Sequence, residues 1–391
     1  MRFFHLSDLH IGKQLHHYNL KEDQEHILQE VIGYAKELHP DAVVIAGDIY
    51  DKSVPSAEAV AVFDNFLTQL AEVKPVIPVL MIAGNHDSGQ RLDYARDILK
   101  RQQIYIAGNP PETESDFLKK VVLEDEEGAV NFYLLPFLKP GYVRAVFPDH
   151  PPESYQEAVS RLLDREEAAG NLDWNERNVL LSHQFYTGGG NEAQTCDSET
   201  FSVGGIDRID SGTVQRFDYV ALGHLHGAQQ VGADHIRYCG TLLKYSVSEA
   251  AHEKSLHLVT LGEKGKPAQI GQLSLHPLRD VRAVRGMLQE ILDQAKPENR
   301  EDYISVTLTD ETDPYKPKEQ LERVYTHILE VRMDNTRTRR KLAEFETEET
   351  LTDPLTAFGD FYREIQGKEL TEDQRKIMEN VLERAEGNMQ K

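Results

Sequence analysis

Short apolar runs alternate with helical patterns along the first hundred residues. The predicted strands are residues 2–7, 42–46, 77–83 and 104–107, each of the length expected for a buried strand. Residues 21–38 place their apolar side chains at helical spacing, and a second helical pattern runs from Pro55, at the first helical position, to about Val73. A third helix is predicted over about 91–101. This alternation of strands and helices indicates an α/β layered core.

A second group of short apolar runs follows, interrupted by one helical pattern at 153–169. The predicted strands of this group are residues 120–123, 130–135, 178–182, 219–222, 236–239, 255–261 and 268–276. A glycine-rich loop at 187–205 is predicted to be mobile and to lie close to a functional site, as loops that carry function do. The pattern therefore predicts two packed sheets with helices outside them.

The pattern changes after Pro277, which marks the first predicted domain boundary. A helix at 281–294, a strand at 303–309 and a helix at 320–331 indicate a small separate α/β unit. A charged linker at 334–350 leads to two final helices near 354–366 and 371–386. The predicted domains are residues 1–276, 277–345 and 346–391.

Composition limits the possible classes of protein. The 391 residues carry a net charge of -23, which gives no support to nucleic-acid binding through a broad basic face. Contact with a polyanion would need local basic loops or bound cations. Cys196 and Cys239 are the only cysteines, which excludes a disulfide framework and a cysteine-rich zinc site and predicts a cytoplasmic location. No apolar run reaches the ~20 residues of a membrane span, and Asp8 interrupts any N-terminal signal segment.

Metal-ligand side chains follow five of the predicted strands. They are Asp8, His10, Asp48, Asn85, His183, His224 and His226. Asp8 and His10, like His224 and His226, are two residues apart, so in an extended segment both side chains of a pair point the same way. Nitrogen and oxygen ligands without thiolate favour Mn²⁺, iron or Zn²⁺ over Mg²⁺ or Ca²⁺.

Seven ligands are too many for one tetrahedral ion and suit two ions that share the carboxylate of Asp48. Two ions ~3.5–4 Å apart form a site for in-line displacement at phosphorus. His86 directly follows Asn85 and is the candidate general acid for the leaving oxygen. Each short pattern is weak evidence by itself, because a single histidine is more often structural. All five patterns, in this order and each after an apolar strand, indicate a metal centre.

The motifs resemble those of the calcineurin-like metallophosphoesterase superfamily. The matching segments are Asp8-Leu9-His10, Gly47-Asp48, Gly84-Asn85-His86-Asp87, Ser182-His183 and Gly223-His224-Leu225-His226. Residues 6–13, 47–51 and 239–250 resemble more closely the SbcD family of bacterial nuclease subunits. The resemblance is specific over residues 1 to about 276 and weaker beyond them.

This resemblance implies a four-layer fold with two sheets between helices. It implies that one Mn²⁺ is held by Asp8, His10, Asp48 and His226, and a second by Asp48, Asn85, His183 and His224. His86 would protonate or stabilise the leaving 3′ oxygen. The implied activities are 3′–5′ exonuclease on double-stranded DNA and endonuclease on single strands and hairpins, in DNA replication, repair and recombination. Some relatives have histidine in place of Asp51, whose role is either to orient His86 or to cap a turn.

The resemblance also implies partners. The chain has no phosphate-binding loop of the Gly-x-x-x-x-Gly-Lys-Ser/Thr type, so ATP hydrolysis is expected from a coiled-coil ATPase of the SbcC type. A homodimer within a heterotetramer is implied, formed by the helices that follow Asp48 and Asn85. The unit after Pro277 resembles a capping domain. The two final helices are amphipathic, and we expect this tail, residues 346–391, to bind the ATPase coiled coil; the alternative is that the two helices only pack on each other.

Two other functions fit part of the sequence. The chain could be a phosphoesterase of the same superfamily that acts on a nucleotide or a phosphoprotein, or a DNA-end scaffold without activity. The capping unit and helical tail argue against the first, and the complete ligand set argues against the second. Lys13, Lys52, Arg91 and Lys244 lie near the motifs and are candidates either for contacts with DNA phosphates or for ordinary surface residues.

Overall fold

The computed structural model describes residues 1–188, 194–199, 207–340 and 354–389. The chain divides into two compact units. The first comprises Met1–Val284, Gln294–Val306 and Lys318–Glu330, and the second comprises Arg285–Asp293, Thr307–Pro317 and Val331–Lys391. Among the described residues, no helix combines the length and apolar character that crossing a bilayer requires.

Nineteen strands occur in the described part of the chain. In chain order β1 to β19 are Arg2–Leu6, Gln14–Leu15, Tyr18–Asn19, Ala42–Ala46, Val79–Ile82, Ile104–Ala107, Lys119–Asp125, Gly128–Leu135, Arg177–His183, Phe185–Thr187, Arg208–Asp210, Tyr219–Gly223, Gln229–Val231, Ala233–Tyr238, Ser255–Thr260, Gln269–Ser274, Val281–Gly286, Tyr303–Leu308 and His327–Met333.

Helices alternate with the strands of the first unit and close the second. In chain order α1 to α9 are Lys21–Leu38, Ala57–Glu72, Gly89–Leu92, Arg96–Leu99, Tyr155–Ala168, Leu288–Asp293, Pro317–Leu321, Pro354–Gln366 and Glu372–Met389. The longest of them in the first unit, α1, α2 and α5, each bury one apolar face, as helices that cover a sheet do.

Two six-stranded sheets form the centre of the first unit. The first sheet has the order β16-β15-β1-β4-β5-β6, in which β1, β4, β5 and β6 are parallel. The second has the order β13-β14-β12-β9-β8-β7, in which β14, β12, β9 and β8 are parallel. Each sheet therefore has four adjacent parallel strands, and their carboxyl ends lie along one edge of that sheet.

Three apolar clusters separate four layers. One lies between the two sheets and includes Phe3, Phe132 and Tyr219. A second joins the outer face of the first sheet to α1 and α2, and a third joins the outer face of the second sheet to α5. The helix–sheet–sheet–helix arrangement confirms the predicted α/β fold with two packed sheets.

Side-chain alternation along β1 assigns each residue to a layer. Phe4 and Leu6 face the helices, whereas Phe3 and His5 face the second sheet. His5 is fully buried there, and its Nδ1 lies 2.9 Å from the hydroxyl oxygen of Tyr219. Helices cover one face of β1 and the second sheet covers the other. The strand is therefore mostly apolar on both faces.

The strands β17, β18 and β19 form a separate three-stranded sheet, and each begins in the first unit and ends in the second. Within the second unit, the backbone N–H of Leu288 donates to the carboxylate of Asp310 at 2.9 Å, at the start of α6. The helices α8 and α9 contact each other through Gln374 Nε2, which donates to the hydroxyl of Tyr362 at 3.1 Å. The division of the chain into three domains at Pro277 and residue 346 stays a prediction.

Several predicted helices are wrong in the structure. Residues 281–294 form β17 followed by the short α6, and residues 320–331 include only the end of α7 before β19 begins. In both segments the apolar residues recur every three to four positions, as in a helix, and pairing with β18 overrides this local pattern. The predicted helix at 91–101 is interrupted at Ala95, whose φ of 59° lies in the left-handed region.

Smaller corrections concern helix α2 and the glycine-rich loop. The side chain of Ser56 caps α2 by accepting from the N–H of Ala59 at 3.1 Å, so Pro55 precedes the helix and does not occupy its first position.

Much of the predicted mobile loop at 187–205 lies outside the described residues. The described parts around it include β10 and β11, which the sequence pattern does not predict.

Candidate metal centre

Five strands bring the seven predicted ligands to one place in the first unit. Asp8 and His10 follow β1, Asp48 follows β4, and Asn85 follows β5, all in the first sheet. His183 ends β9, and His224 and His226 follow β12, in the second sheet. The loops after β1 and β4 run side by side, because the N–H of Asp8 donates to Gly47 O and the N–H of His10 donates to Asp48 O, both at 3.0 Å.

The backbone at four of these residues is in the left-handed region. The φ angles are 53° at Asp8, 43° at His10, 50° at Asp48 and 108° at His224. Residues other than glycine seldom adopt this conformation, and where they do it often marks a functional site. At these four residues the left-handed conformation turns the backbone sharply at the end of a strand.

Two glycines allow the strand ends to approach closely. A Cβ on Gly84 would lie 2.1 Å from Asp48 Oδ1, and a Cβ on Gly223 would lie 2.0 Å from Ala46 O. Neither position has room for a side chain. The glycines before Asn85 and His224 are therefore needed for packing against the loop that carries Asp48.

Asp8, His10 and His226 form one side of the centre. The Nε2 atoms of His10 and His226 lie 3.2 Å apart, and the other ring nitrogen of His10 has no hydrogen-bond partner among the described residues. The carboxylate of Asp8 accepts the N–H of His224 at 3.0 Å and the hydroxyl of Ser7 at 2.5 Å. One atom from each of Asp8, His10 and His226 lies within 4.8 Å of the others.

Asp48 joins this group to the remaining residues. Its Oδ2 lies 3.7 Å from His10 Nε2 and 3.3 Å from His183 Nε2. The amide oxygen of Asn85 lies 3.0 Å from both His183 Nε2 and His224 Nδ1. The structure thus brings all seven predicted residues together, with Asp48 between the two sets.

Burial determines the electrostatics of the centre. It lowers the pKa of His224 to about 3, so the ring is neutral at pH 7 and keeps its nitrogen lone pairs. Burial also raises the pKa of Asp8. For His183, burial lowers the pKa, but the adjacent carboxylate of Asp48 overcomes this effect and raises it to about 9.

These properties fit divalent cations. Two buried carboxylates, an amide oxygen and four imidazole rings converge, and the Nε2 atoms of His10 and His226 face each other as two ligands of one ion would. A cation near Asp48 would take the place of the proton that the carboxylate of Asp48 stabilises on His183. The donor set contains no thiolate, which agrees with the metals that the sequence favours.

Groups behind the ligands fix their orientation. His183 Nδ1 lies 2.7 Å from Ala46 O and donates to it, so that Nε2 points toward Asp48. His226 Nδ1 lies 2.7 Å from the hydroxyl of Ser198 and 3.6 Å from Glu249 Oε1. Such second partners set the tautomer of a ligating histidine and raise its basicity.

Glu249 is a functional candidate that the sequence pattern did not single out. It is fully buried and pairs with Lys254 Nζ at 2.6 Å. Burial opposes its ionisation, but the nearby ring of His226 and the charge of Lys254 keep its pKa below the ordinary value. Its position at the end of the 239–250 segment is the only sequence signal for it.

His86 lies beside the centre and differs from the seven ligands in its contacts. Its Nδ1 lies 2.9 Å from Asp51 O and donates to it, and its N–H donates to Asp48 Oδ1 at 2.8 Å. Its ring stands perpendicular to that of His10, with centroids 4.8 Å apart. The carbonyl of Asp51 therefore orients His86, whereas the carboxylate of Asp51 pairs with Lys13 at 2.9 Å.

The four basic residues near the motifs have different surroundings. Lys244 is mostly buried and pairs with Asp280 at 2.8 Å, and Lys13 is held by Asp51. Lys52 and Arg91 are exposed. A contact with an incoming phosphate is therefore easier for Lys52 and Arg91 than for Lys244, which would have to break its ion pair.

Comparison with known sequences gives matches over most of the chain. Residues 1–228 match the family described as calcineurin-like phosphoesterase, and residues 277–366 match the one described as type 5 capsule protein repressor C-terminal domain. The chain is 32% identical over 331 residues to the SbcD subunit of the nuclease SbcCD of Staphylococcus epidermidis. The aligned part covers 84% of this chain and 84% of that relative.

Solved structures that align with this chain are distant from it in sequence. A phosphopantetheinyl hydrolase from Mycobacterium tuberculosis aligns with a TM-score of 0.36 at 15% identity, over 60% of this chain and 86% of that one. A dimetal phosphatase from Danio rerio aligns with a TM-score of 0.39 at 13% identity, over 69% of this chain and 98% of that one.

Proposed function

Because the chain belongs to the calcineurin-like phosphoesterase family and, within it, to the family of SbcD nuclease subunits, we propose that it is a metal-dependent DNA nuclease subunit. The observation that carries the proposal is the convergence of seven nitrogen and oxygen ligands around Asp48. Carboxylates, an amide oxygen and imidazoles that converge in this way are the ligand chemistry of two-metal hydrolysis of a phosphate diester.

We assign the ligands of two divalent cations, with Mn²⁺ as the proposed metal. Asp8, His10, Asp48 and His226 would hold one, and Asp48, Asn85, His183 and His224 the other. When bound, the two cations would neutralise phosphate charge and activate water for in-line attack. The 3.2 Å approach of His10 and His226 and the 3.0 Å approach of Asn85 to two imidazoles support this division.

His86 is the proposed proton donor to the leaving oxygen. Its Nδ1 proton is engaged by the carbonyl of Asp51, so only Nε2 can carry the proton that moves. The hydrogen bond holds the ring at a fixed angle beside His10. General acids in this position contribute roughly 10²–10⁴-fold to a rate.

The proposed substrates are DNA ends and hairpins, with 3′–5′ exonuclease activity on duplexes and endonuclease activity on single strands and hairpins. The proposed setting is DNA replication, repair and recombination in the cytoplasm. The net charge of -23 means that DNA would be held by local contacts and by the bound cations rather than by a broad basic face.

An SbcC-type coiled-coil ATPase is the proposed partner. Phe361 and Ile365 on α8, and Ile377 and Val381 on α9, are each more than half exposed. Although α8 and α9 contact each other, that contact leaves these four apolar side chains uncovered. Amphipathic helices with exposed apolar residues can bind the apolar face of a partner helix.

A homodimer within the heterotetramer is proposed through the surface next to α2. A cavity of about 790 Å³ there has mainly apolar walls, including Phe63 and Leu67. Tyr94 and Ile98, in the segment after Asn85, are 82% and 67% exposed. An exposed apolar surface of this kind is typical of a protein–protein interface, and a second copy of the chain would remove it from water.

Cleavage of end-labelled duplex DNA tests the proposed function. Purified chain with Mn²⁺ is expected to digest the duplex, and Asp48→Ala to reduce digestion by more than about 100-fold, because both cations lose a ligand. The matched control is Asp164→Ala on the exposed face of α5, which removes a carboxylate far from the ligands in sequence.

Digestion that is metal-dependent and lost only in Asp48→Ala would support the nuclease. No digestion, even with the ATPase partner and ATP, would contradict it. Hydrolysis of an aryl phosphodiester in that case would indicate a phosphoesterase with another substrate. DNA binding without any hydrolysis would indicate a scaffold.

A further inference from the structure

A serine in the glycine-rich loop connects one proposed metal ligand to a buried ion pair. Ser198 Oγ lies 2.7 Å from His226 Nδ1 and donates to Glu249 Oε1 at 2.6 Å. The other oxygen of Glu249 accepts from Lys254 Nζ, also at 2.6 Å. The four side chains therefore form one row of hydrogen bonds that ends on the imidazole ring.

The ion pair sets the direction of each hydrogen bond in this row. An ammonium group can only donate, and a carboxylate paired with it can only accept. The hydroxyl proton of Ser198 is therefore given to Glu249, and the hydroxyl oxygen is left to accept from His226. The ring of His226 then carries its proton on Nδ1 and keeps the lone pair of Nε2, which is the form that binds a cation.

The backbone of the same histidine is held as well. Glu199 Oε1 accepts from the N–H of His226 at 2.5 Å, and Lys254 Nζ donates to His226 O at 2.9 Å. Nε2, which lies 3.2 Å from His10 Nε2, is left for a cation. Two of the three groups that hold His226 thus come from Ser198 and Glu199, which are adjacent in the sequence.

The described segment 194–199 has further contacts with the loops that follow β12. Gln194 and Gln229 exchange two hydrogen bonds, at 3.0 and 2.8 Å. The N–H of Asp197 donates to Ser248 Oγ at 3.0 Å. The segment therefore docks at several points besides the proposed metal ligand.

We propose that Ser198 and Glu199 are positioning residues of the metal centre, and that docking of segment 194–199 and cation binding by His226 strengthen each other. Docking holds the imidazole in the orientation and tautomer that a cation requires. By thermodynamic linkage, a bound cation must favour docking by the same factor. The proposal rests on the assignment of His226 as a metal ligand under the proposed function and does not depend on the substrate.

Calorimetry with Mn²⁺ and the full-length chain tests the effect of docking on cation binding. Ser198→Ala should bind one of the two cations roughly 10–100-fold more weakly, because a ligating histidine loses its second partner. Ser198→Thr keeps the hydroxyl and should bind both cations within about threefold of the wild-type affinity. Ser274→Ala, at an exposed position of β16, is the matched control and should behave like the wild type.

Cys196 lies in the segment and reports whether it is docked. It is half-buried, whereas Cys239 is 1% exposed, so a thiol reagent reacts first with Cys196. Burial and the charge of Glu199 raise the pKa of Cys196 to about 12 in the docked segment. Little of the reactive thiolate is then present, and docking slows alkylation.

Alkylation of Cys196 by iodoacetamide, followed by mass spectrometry, tests the effect of the cation on docking. Saturating Mn²⁺ should slow alkylation of the wild-type chain by about 10-fold, because the cation holds the segment docked. In Ser198→Ala this protection should fall by the same factor as the Mn²⁺ affinity, since the coupling is reciprocal. The urea-unfolded chain is the control for any direct effect of Mn²⁺ on the reagent.

Two results would overturn the proposal. One is a Mn²⁺ affinity of Ser198→Ala that matches the wild type at both sites. The other is a rate of Cys196 alkylation that Mn²⁺ does not change in the wild-type chain. Either result leaves the nuclease function intact if the wild-type chain cleaves DNA with Mn²⁺. If the wild-type chain binds no Mn²⁺, the ligand assignment itself fails, and the proposed function with it.

Discussion

His183 and His86 both donate a hydrogen bond from Nδ1, but their Nε2 atoms have different surroundings. His183 donates from Nδ1 to Ala46 O, so Nε2 is directed toward Asp48 and Asn85. His86 donates from Nδ1 to Asp51 O, and its Nε2 makes no hydrogen bond with a described residue. The first arrangement suits metal binding, and the second suits proton transfer.

Replacing His86 with alanine should separate these two roles. His86→Ala is expected to lower kcat for DNA cleavage by about 10²–10⁴-fold, because the leaving oxygen loses its proton donor. Mn²⁺ binding, measured by calorimetry, and DNA binding, measured by fluorescence anisotropy in Ca²⁺, should change by less than about threefold.

His150→Ala, at an exposed position, is the matched control for removing an imidazole. Unchanged cleavage by His86→Ala would remove His86 from the proposed role. A parallel loss of Mn²⁺ affinity would instead place His86 among the ligands.

At the level of elements, the sequence predicts strands better than it predicts the start and end of short helices. The strands at 42–46 and 104–107 have the predicted bounds. Their side chains are covered on both faces by the sheets and helices around them, so a continuous apolar run is the expected signal. The segments 281–294 and 320–331 place their apolar residues at helical spacing, but their backbone depends on pairing with another strand of the same sheet.

Removal of the last two helices tests what α8 and α9 do. A chain lacking residues 353–391 should lose binding to the SbcC-type ATPase and keep Mn²⁺-dependent cleavage of DNA, since the proposed ligands all precede residue 230. Size-exclusion chromatography with light scattering measures the complex, and nuclease assays on the same fractions measure activity.

The same light-scattering run reports the mass of the chain alone. A mass near twice 44.5 kDa would agree with the proposed homodimer, whereas 44.5 kDa would contradict it. A full-length chain with Phe361→Ser and Val381→Ser is the milder comparison, because it keeps both helices and changes only exposed apolar residues. Retained ATPase binding in both variants would assign these helices to another role.

For the molecule as a whole, two buried histidines lie in the layer between the sheets. The ring of His257 packs against that of His5 with centroids 5.7 Å apart, and both residues are fully buried. Neither ring nitrogen of His257 has a hydrogen-bond partner among the described residues. Burial and, to a smaller extent, the charge of Arg237 lower the pKa of His257 to about 4.

This burial predicts a loss of stability at mildly acidic pH. The unfolded chain takes up a proton near pH 6.5 and the folded chain only near pH 4, so the free energy of unfolding falls as pH decreases between these values. The contribution of His257 is at most about 3.5 kcal/mol, because each pH unit between 6.5 and about 4 is worth about 1.4 kcal/mol. Above pH 6.5 the contribution of His257 to the free energy of unfolding is fully present.

Urea unfolding at pH 7.0 and 5.0 measures the effect. His257→Leu should lose less stability than the wild-type protein between these two pH values, and His150→Leu should behave like the wild type. Protonation of the metal ligands affects all three proteins equally and cancels in the comparison. An identical pH dependence in His257→Leu and wild type would contradict the prediction. His5, whose pKa is also lowered by burial, will retain part of the slope.

Local sequence is sufficient to predict the layered fold and the identity of the groups that meet at the centre. Apolar runs specify buried strands because they must leave water, and Asp, Asn and His at their ends are informative because few other residues bind metals. Contacts between residues distant along the chain depend on how the sheets pack. Only folding brings Glu249 behind His226 and places the carbonyl of Asp51 against His86. It also buries the carboxamide of Gln184 without a hydrogen-bond partner among the described residues, a position that no local pattern encodes because its neighbours come from other strands.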